Sequence, residues 1–450
     1  MATHSDLLRA SIPTRAHVQC ARATDRVSAP RGVLLSVDEQ SYHVRDLCDS
    51  GLSVHTSDHR FARGAQMEVW LEWQEQPRWK GVFTVRHSPV DRDQPIAGGS
   101  IVFATNEDRR RWLDELDALR YPYTRVGGDC GAELWDLFEA SGYFRLSQKQ
   151  IADFAHCRES FSAMCRTLAS NPHLGIQVVW PSSRGLEVTT TAMAEYPKTA
   201  MLFHMAKRPG TDPRGMPAKR LLRETYLRAV QWVRRRHVDW ISIWIQDAAR
   251  FSRGLHLDFV RHRVDNVLAA IHTFHALEVP VDLPSAVRGW KVRLATDSES
   301  LAIMARAREQ FPSPLVSARS WDMSKVEIAA EWEAAGLMRD RTILVAMRHG
   351  ELRAAAICDV AQDGAHVFGL LDVAHTVSFT DDPEPLQAVL HGAALWYRAH
   401  GKRHFIYAAR EGEAVQGARD LGRTHATVTN TALLGELTVH VYRFTSSESS

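Results

Sequence analysis

Two arginines and one acid near the start of the chain have the types and spacing to grip a nucleotide. Arg22 and Arg26 stand one helical turn or one loop apart, so two flat guanidinium forks can reach the same ligand. Such forks suit phosphate oxygens and the O6/N7 edge of guanine, and they stack on purine faces. An apolar run, Val33 to Val37, follows, and then Asp46-Leu-Cys48-Asp-Ser-Gly51. That second segment suits a strand-to-turn corner. Asp46 can accept from N–H groups on a base, and Cys48 offers a thiol, a weaker hydrogen-bond partner than a hydroxyl. Gly51 permits a positive φ or a close ligand approach.

The surrounding residues read as small strands that would position these groups. Asp38 to Ser41 forms a turn between two of them, and 61–73 reads as a glycine turn followed by an alternating strand. Further strands are expected over 80–86 and 99–103. A helix over 107–119 places Trp112, Leu113, Leu116 and Leu119 on one face. Arg109 to Arg111 read as a solvated basic edge.

An RxxxR motif, a strand and then a [D/N]xSxxG motif resemble PilZ domains, and the likeness covers roughly the first quarter of the chain. It implies a six-stranded β-barrel that binds cyclic di-GMP, with Arg22, Arg26, Asp46, Cys48 and Gly51 as ligand-binding residues. Cys48 stands where the family carries serine. Ala21 stands where some relatives carry a further arginine. The resemblance further implies a bacterial signalling role in motility, exopolysaccharide or biofilm control.

The 450 residues exceed what one core usually fills, so two or three domains are expected. A formal net charge of +2 gives no global argument for nucleic acid, and no apolar run approaches a membrane span. The first ten residues include Asp6 and lack an apolar signal core. The six cysteines lack CxxC spacing, which suits reduced thiols in cytoplasm and no metal site.

Pro122, Gly127 and Gly128 mark a linker over 121–131, bounding a first domain at 1–120. Helices are then expected over 132–141 and 147–169, and strands over 176–180, 186–194 and 199–206. A Pro/Gly loop leads to a helix over 218–236 and a strand over 240–246. His272 and His275 read as a pair on one helix face. From Trp290 a similar plan returns. It comprises a strand over 291–295, helices over 298–310 and 324–335, and strands over 341–348, 352–360 and 366–373. A helix over 386–400, a strand over 405–408, a short helix near 413–421 and a final strand over 437–443 complete it. The fold class expected is therefore multidomain, β followed by α/β. This second region resembles GNAT acyltransferases in element order, which implies a tandem of two such units at 132–285 and 286–450.

GNAT enzymes hold the pyrophosphate of coenzyme A on backbone N–H groups where a strand meets its helix. In the second unit that loop carries Asp381, Asp382 and Glu384, which would repel phosphate, and Pro383 and Pro385, which lack donors. In the first unit, ten Lys/Arg between Lys207 and Arg236 face only Asp212 and Glu224. Arg214, Gly215 and Lys219 could contact an anion such as acyl-coenzyme A. A solvated basic face, or a surface for an acidic protein partner, are the other readings of the same helix. His204, Glu195, Tyr196 and Asp247 offer a general base at strand ends.

Overall fold

The computed structural model describes residues 26–73, 79–89, 95–147, 151–262, 267–283 and 288–446. The chain forms two compact units, Met1–Tyr123 and Thr124–Ser450.

The first unit is a closed six-stranded barrel. Its strands are β2 (Val33–Val37), β3 (Gln40–Cys48), β4 (Gly51–His55), β5 (Gln66–Trp73), β6 (Trp79–His87) and β7 (Ile96–Phe103). They pair in the order β3-β2-β5-β6-β7-β4, and β4 pairs back onto β3. The two-residue strand β1 (Val27–Ser28) adds to the end of β3. Alternation in β2 sends Val33, Leu35 and Val37 inward, where they meet Phe61 and Phe83 in one core. Asp38 and Glu39 both take positive φ, 46° and 68°, which makes the tight turn whose twist suits a hairpin. Helix α1 (Asn106–Arg120) is capped by Thr105, whose hydroxyl accepts the Asp108 N–H, and it buries Trp112 and Leu116 against the barrel.

The second unit is built on one twelve-stranded sheet. Its strands are β8 (Arg125–Val126), β9 (Gly175–Ser182), β10 (Gly185–Tyr196), β11 (Thr199–Lys207), β12 (Trp240–Gln246) and β13 (Ala269–Pro280). There follow β14 (Lys291–Leu294), β15 (Arg339–Arg348), β16 (Glu351–Ala361), β17 (Val373–Ser378), β18 (His404–Ala409) and β19 (Arg419–Asn430). The order is β14-β15-β16-β17-β18-β13-β19-β12-β11-β10-β9-β8. Among the described residues, only β11 with β12 and β17 with β18 run parallel. Helices α2 (Gly131–Ser141), α3 (Arg158–Ser170), α4 (Ala218–Arg236), α5 (Asp297–Gln310), α6 (Ser313–Ala318), α7 (Lys325–Ala334), α8 (Glu384–Ala399) and α9 (Leu434–Ser446) cover it.

The segments 132–285 and 286–450, expected as two units, lie in one sheet, and each places a strand among the other's. β13, from the earlier segment, lies between β18 and β19; β19, from the later one, lies between β13 and β12. One apolar core accordingly holds Phe138, Val179 and Phe274 together with Trp321, Val345 and Ile406.

Several local expectations need correction. His272 and His275 lie on strand β13, where residues three apart point to opposite faces, so they form no pair. The chain over 366–372 makes turns around Gly369 at φ 67°, and the strand begins only at Val373. Gly417 at φ 81° interrupts the helix expected near 413–421. The segment 437–443 is helical, within α9: Leu434, Leu437, Thr438 and Val441 are buried at helical spacing, although 437, 439 and 441 also alternate like a strand. The helix expected over 147–169 is α only from Arg158, after 3-10 turns at Tyr143–Ser147 and Ile151–Cys157.

Candidate functional site

In the barrel, β1 pairs with the end of β3, setting Ser28 opposite Asp46 and Val27 opposite Leu47. This register delivers Arg26 to Asp46, and Arg26 Nη1 lies 2.8 Å from Asp46 Oδ1. The Arg26 side chain is 39% exposed and that of Asp46 18%, so the pair sits at the surface with its remaining donors open to solvent. Cys48 is half-buried, and its carbonyl accepts the Trp112 indole N–H at 3.3 Å, which ties this corner to α1. Asp49 beside it takes Arg120 Nη1 at 2.5 Å. Gly51 opens β4 opposite Ser100. A Cβ there would stand 2.1 Å from the Gly99 carbonyl oxygen, so close approach of the neighbouring strand requires the glycine; its φ is not positive. Arg22 lies outside the described residues.

In the larger unit each parallel pair is brief. β11 and β12 pair only from Thr199–Met201 to Trp240–Ser242 and then part. β17 and β18 pair only at Val373–Ala374 with Ile406–Tyr407. Beyond the first junction β11 carries one extra residue relative to β10: Thr191 faces Phe203, but Thr189 faces Ala206. The extra residue is accommodated around His204, which takes φ 52°. A bulge with a left-handed non-glycine residue is a costly arrangement that often lies beside a functional site. The His204 ring is buried among Phe138, Phe161, Phe203 and His366. Burial, and His366 nearby, hold its pKa well below the usual imidazole range.

The loop after β11 is organised by Asp212, which is buried. Its Oδ1 accepts the Arg214 N–H at 2.8 Å, and its carbonyl accepts the Gly215 N–H at 2.9 Å. Gly215 adopts φ 71°. Helix α4 starts after Pro217 with no side-chain cap, and Lys219 Nζ lies 5.8 Å over the Phe444 ring of α9. Much of the basic character of α4 is engaged within the unit. Arg223 lies 5.2 Å over Tyr442, Arg234 donates to Thr438 Oγ1 at 3.0 Å, and Arg236 Nη2 donates to both Glu331 oxygens.

The loop after β17 is closed by its own oxygens. Thr380 Oγ1 accepts the Asp382 N–H at 3.3 Å, and Asp382 Oδ1 accepts the Glu384 N–H at 2.9 Å. Pro385 brings no donor to the first turn of α8.

Glu195 and Tyr196 enter a buried ionic network that their local sequence does not announce. Arg319 Nη1 lies 2.7 Å from Glu195 Oε1, and both side chains are almost fully buried. Ser242 Oγ donates to the other Glu195 oxygen. The Tyr196 hydroxyl donates to Asp359 Oδ2 at 2.9 Å, and Arg341 forks onto the same carboxylate at 2.7 and 3.1 Å. Burial pushes the Asp359 carboxyl up, but the Arg341 and Arg339 guanidinium groups outweigh it and hold the pKa below the usual carboxylate range.

Asp247 ends a relay across three strands. Its Oδ1 lies 2.8 Å from His425 Nε2, and His425 Nδ1 lies 2.9 Å from Thr273 Oγ1. His425 is buried, while Asp247 and Thr273 reach solvent, so the relay connects two wet ends. A hydrogen bond from His425 holds the Asp247 carboxyl below its usual range. Neither partner could be assigned from spacing, because strands far apart in the chain supply them. Among the described residues, no His/Cys/Asp/Glu group is arranged to hold a metal, and no helix is long and apolar enough to cross a membrane.

No family model matches the chain, and no curated protein matches it. Solved structures similar to it include GNAT proteins. A tandem GNAT protein from the clavulanic acid biosynthesis pathway aligns over 68% of this chain and 98% of its own, at 14% identity and TM-score 0.36. A GCN5-related N-acetyltransferase from Kribbella flavida aligns over 60% and 94%, at 15% identity and TM-score 0.32. A GNAT-family acetyltransferase from Colwellia psychrerythraea aligns over 68% and 98%, at 9% identity and TM-score 0.31. Likenesses this slight leave the chain's own residues as the ground for its chemistry.

Proposed function

We propose that this chain is a bacterial cyclic di-GMP receptor, in which a PilZ-type barrel controls a GNAT-like tandem module with a role in motility, exopolysaccharide or biofilm formation. The observation that carries the reading is the Arg26–Asp46 pair beside β1 and β3, in the order and setting that resemble the family's ligand motif. Without ligand, Asp46 holds the guanidinium in place. With ligand, Arg22 and Arg26 clamp guanine and phosphate while Asp46 accepts from the guanine N–H edge. Cys48 and Gly51 shape the corner. Binding that differs between two arrangements of the chain is what would let the nucleotide switch the module, or a protein partner of that module. Calorimetric titration of the full chain tests this. Saturable binding is expected for the wild type and none for Arg22→Ala/Arg26→Ala, whereas Cys48→Ser should bind as well or better. A wild type that takes up no cyclic di-GMP overturns the proposal.

A second reading, an N-acyltransferase gated by the same nucleotide, is favoured by the bulge at His204 beside a parallel pair that parts. Acyl-coenzyme A or an acyl carrier protein would then be held in the earlier half, near Arg214, Gly215 and Lys219. The Asp247–His425 relay would take the proton from an amine. Saturable acyl-coenzyme A binding by the full chain with release of free thiol supports it. Absence of both leaves a receptor whose module binds a partner without chemistry.

A further inference from the structure

The middle of the large sheet holds a group of buried polar atoms that nothing in either reading uses. Arg319, just past α6, lays its guanidinium 4.6 Å over the Trp244 ring of β12. The His375 ring of β17 lies 5.3 Å from Trp321 and 6.4 Å from Trp244. Three strands separate β12 from β17 in the sheet, so side chains from distant positions converge here. Phe311 closes the group, 5.1 Å from Trp321 and 6.2 Å from His375.

The hydrogen-bonding ledger of this cluster is lopsided. Arg319 spends Nη1 on Glu195 and Tyr196, but its Nε and Nη2 have no partner among the described residues. Neither do Trp244 Nε1, Trp321 Nε1, or either ring nitrogen of His375. Arg319, Trp321 and His375 are each about 2% exposed or less, so bulk water does not satisfy them. All these atoms are donors except one nitrogen of a neutral imidazole. Unpaired buried donors are costly, and a native interior keeps few of them.

The charge count leans the same way. Arg319, Arg339 and Arg341 are buried in one connected network against two carboxylates, Glu195 and Asp359. Arg339 Nε and Nη2 are likewise unpartnered. Nearby, Lys402 is paired with two carboxylates of its own, the largely exposed Asp363 and the more buried Asp372. Around Arg319 itself, three guanidinium groups thus share two carboxylates in a setting where unpaired donors and isolated charge are expensive.

We propose that this cluster is a binding site for a small monocarboxylate. Its two oxygens accept from the Arg319 Nε/Nη2 edge, a fork that matches carboxylate geometry, and from the indole N–H groups of Trp244 and Trp321. His375 and Phe311 flank its apolar body. The Arg319 edge offers one two-nitrogen fork, which matches the two oxygens of a single carboxylate, and that is why a monocarboxylate fits better than a phosphate dianion. The site owes nothing to the nucleotide motif in the barrel, so it stands or falls apart from the proposed receptor function.

The test is a titration of the full chain with propionate, propionamide and inorganic phosphate, read by tryptophan fluorescence and by thermal shift. Propionate should bind saturably and raise Tm. Propionamide, with the same shape but no charge and with donors of its own, should bind at least tenfold more weakly, and phosphate should not outcompete propionate. Arg319→Lys keeps a cation for Glu195 and removes the fork; it should weaken propionate at least tenfold. Should that variant fail to fold, Trp321→Phe keeps the ring, removes one donor and should weaken binding severalfold with the ligand-free Tm nearly unchanged. Equal response to acid and amide, tighter binding of phosphate, no saturable propionate signal, or unaltered affinity in both variants would each overturn the assignment.

Discussion

The two parallel junctions of the large sheet share a topology and differ in chemistry. Both consist of a strand that meets its neighbour for two or three residues, a loop, and a long helix that leads back to the sheet. At β11/β12 the strand is bulged at His204 and the loop is basic. At β17/β18 the strand is regular, and Thr380 and Asp382 take up loop N–H groups that an anion would need. Strand order alone does not make an anion site. It needs free donors at the helix start and a backbone that can come close, and proline with acidic side chains removes both.

The largest expected effect comes from breaking the buried ionic network. Arg341→Leu leaves Asp359 charged and buried without its fork, and the large unit should lose about 3–5 kcal/mol in urea unfolding. The same loss from a surface pair such as Arg306–Glu309 would mean the buried network is not special.

Acid comes next. His204 and His375 are held well below the usual range by burial, and burial likewise lowers His256 and His366 to about 3 and His272 to about 4. These groups stay neutral in the fold but protonate in the unfolded chain below about pH 6.5. Stability should therefore be intact above that pH and fall as pH drops toward 4, by up to about 1.4 kcal/mol per pH unit for each group. Unfolding midpoints between pH 7 and 4.5 measure it, and a flat profile would refute the neutral assignments.

The two junction loops should respond unequally to removal of their aspartates. Asp212→Ala strips a buried acceptor from the Arg214 N–H and should cost about 1–3 kcal/mol. Asp382→Ala removes an exposed acceptor from the Glu384 N–H and should cost about 0.5–1 kcal/mol. Equal losses by thermal unfolding would erase the distinction drawn between the loops. The smallest effect is expected at the barrel hairpin. Glu39→Gly relieves a left-handed residue and should raise stability by about 1 kcal/mol, measured on the barrel transition.

Much of the local structure was legible. The helix over 218–236, which follows the loop ending at Pro217, and the strand over 240–246 have the bounds expected from the sequence. Motif order set Arg26 and Asp46 toward one ligand, whereas their direct ion pair comes from the short strand addition beside β3. The exchange of β13 and β19 could not be read, since a strand's sequence records which face is apolar and not which neighbour it will meet. Segment 437–443 satisfied two periods at once, and packing against α4 chose the helical one.

The amino-acid order by itself determined where the chain turns, which loop is basic and which is acidic, and where prolines deny backbone donors, because those properties belong to residues and their immediate neighbours. Tertiary structure alone decided that Arg319 meets Glu195 across 124 positions, that His425 bridges Asp247 and Thr273, and that His375 and Trp321 share one buried cluster. The reason is that burial and charge pairing are set by segments distant in the chain. Only the folded sheet removes the water that would otherwise make those groups ordinary.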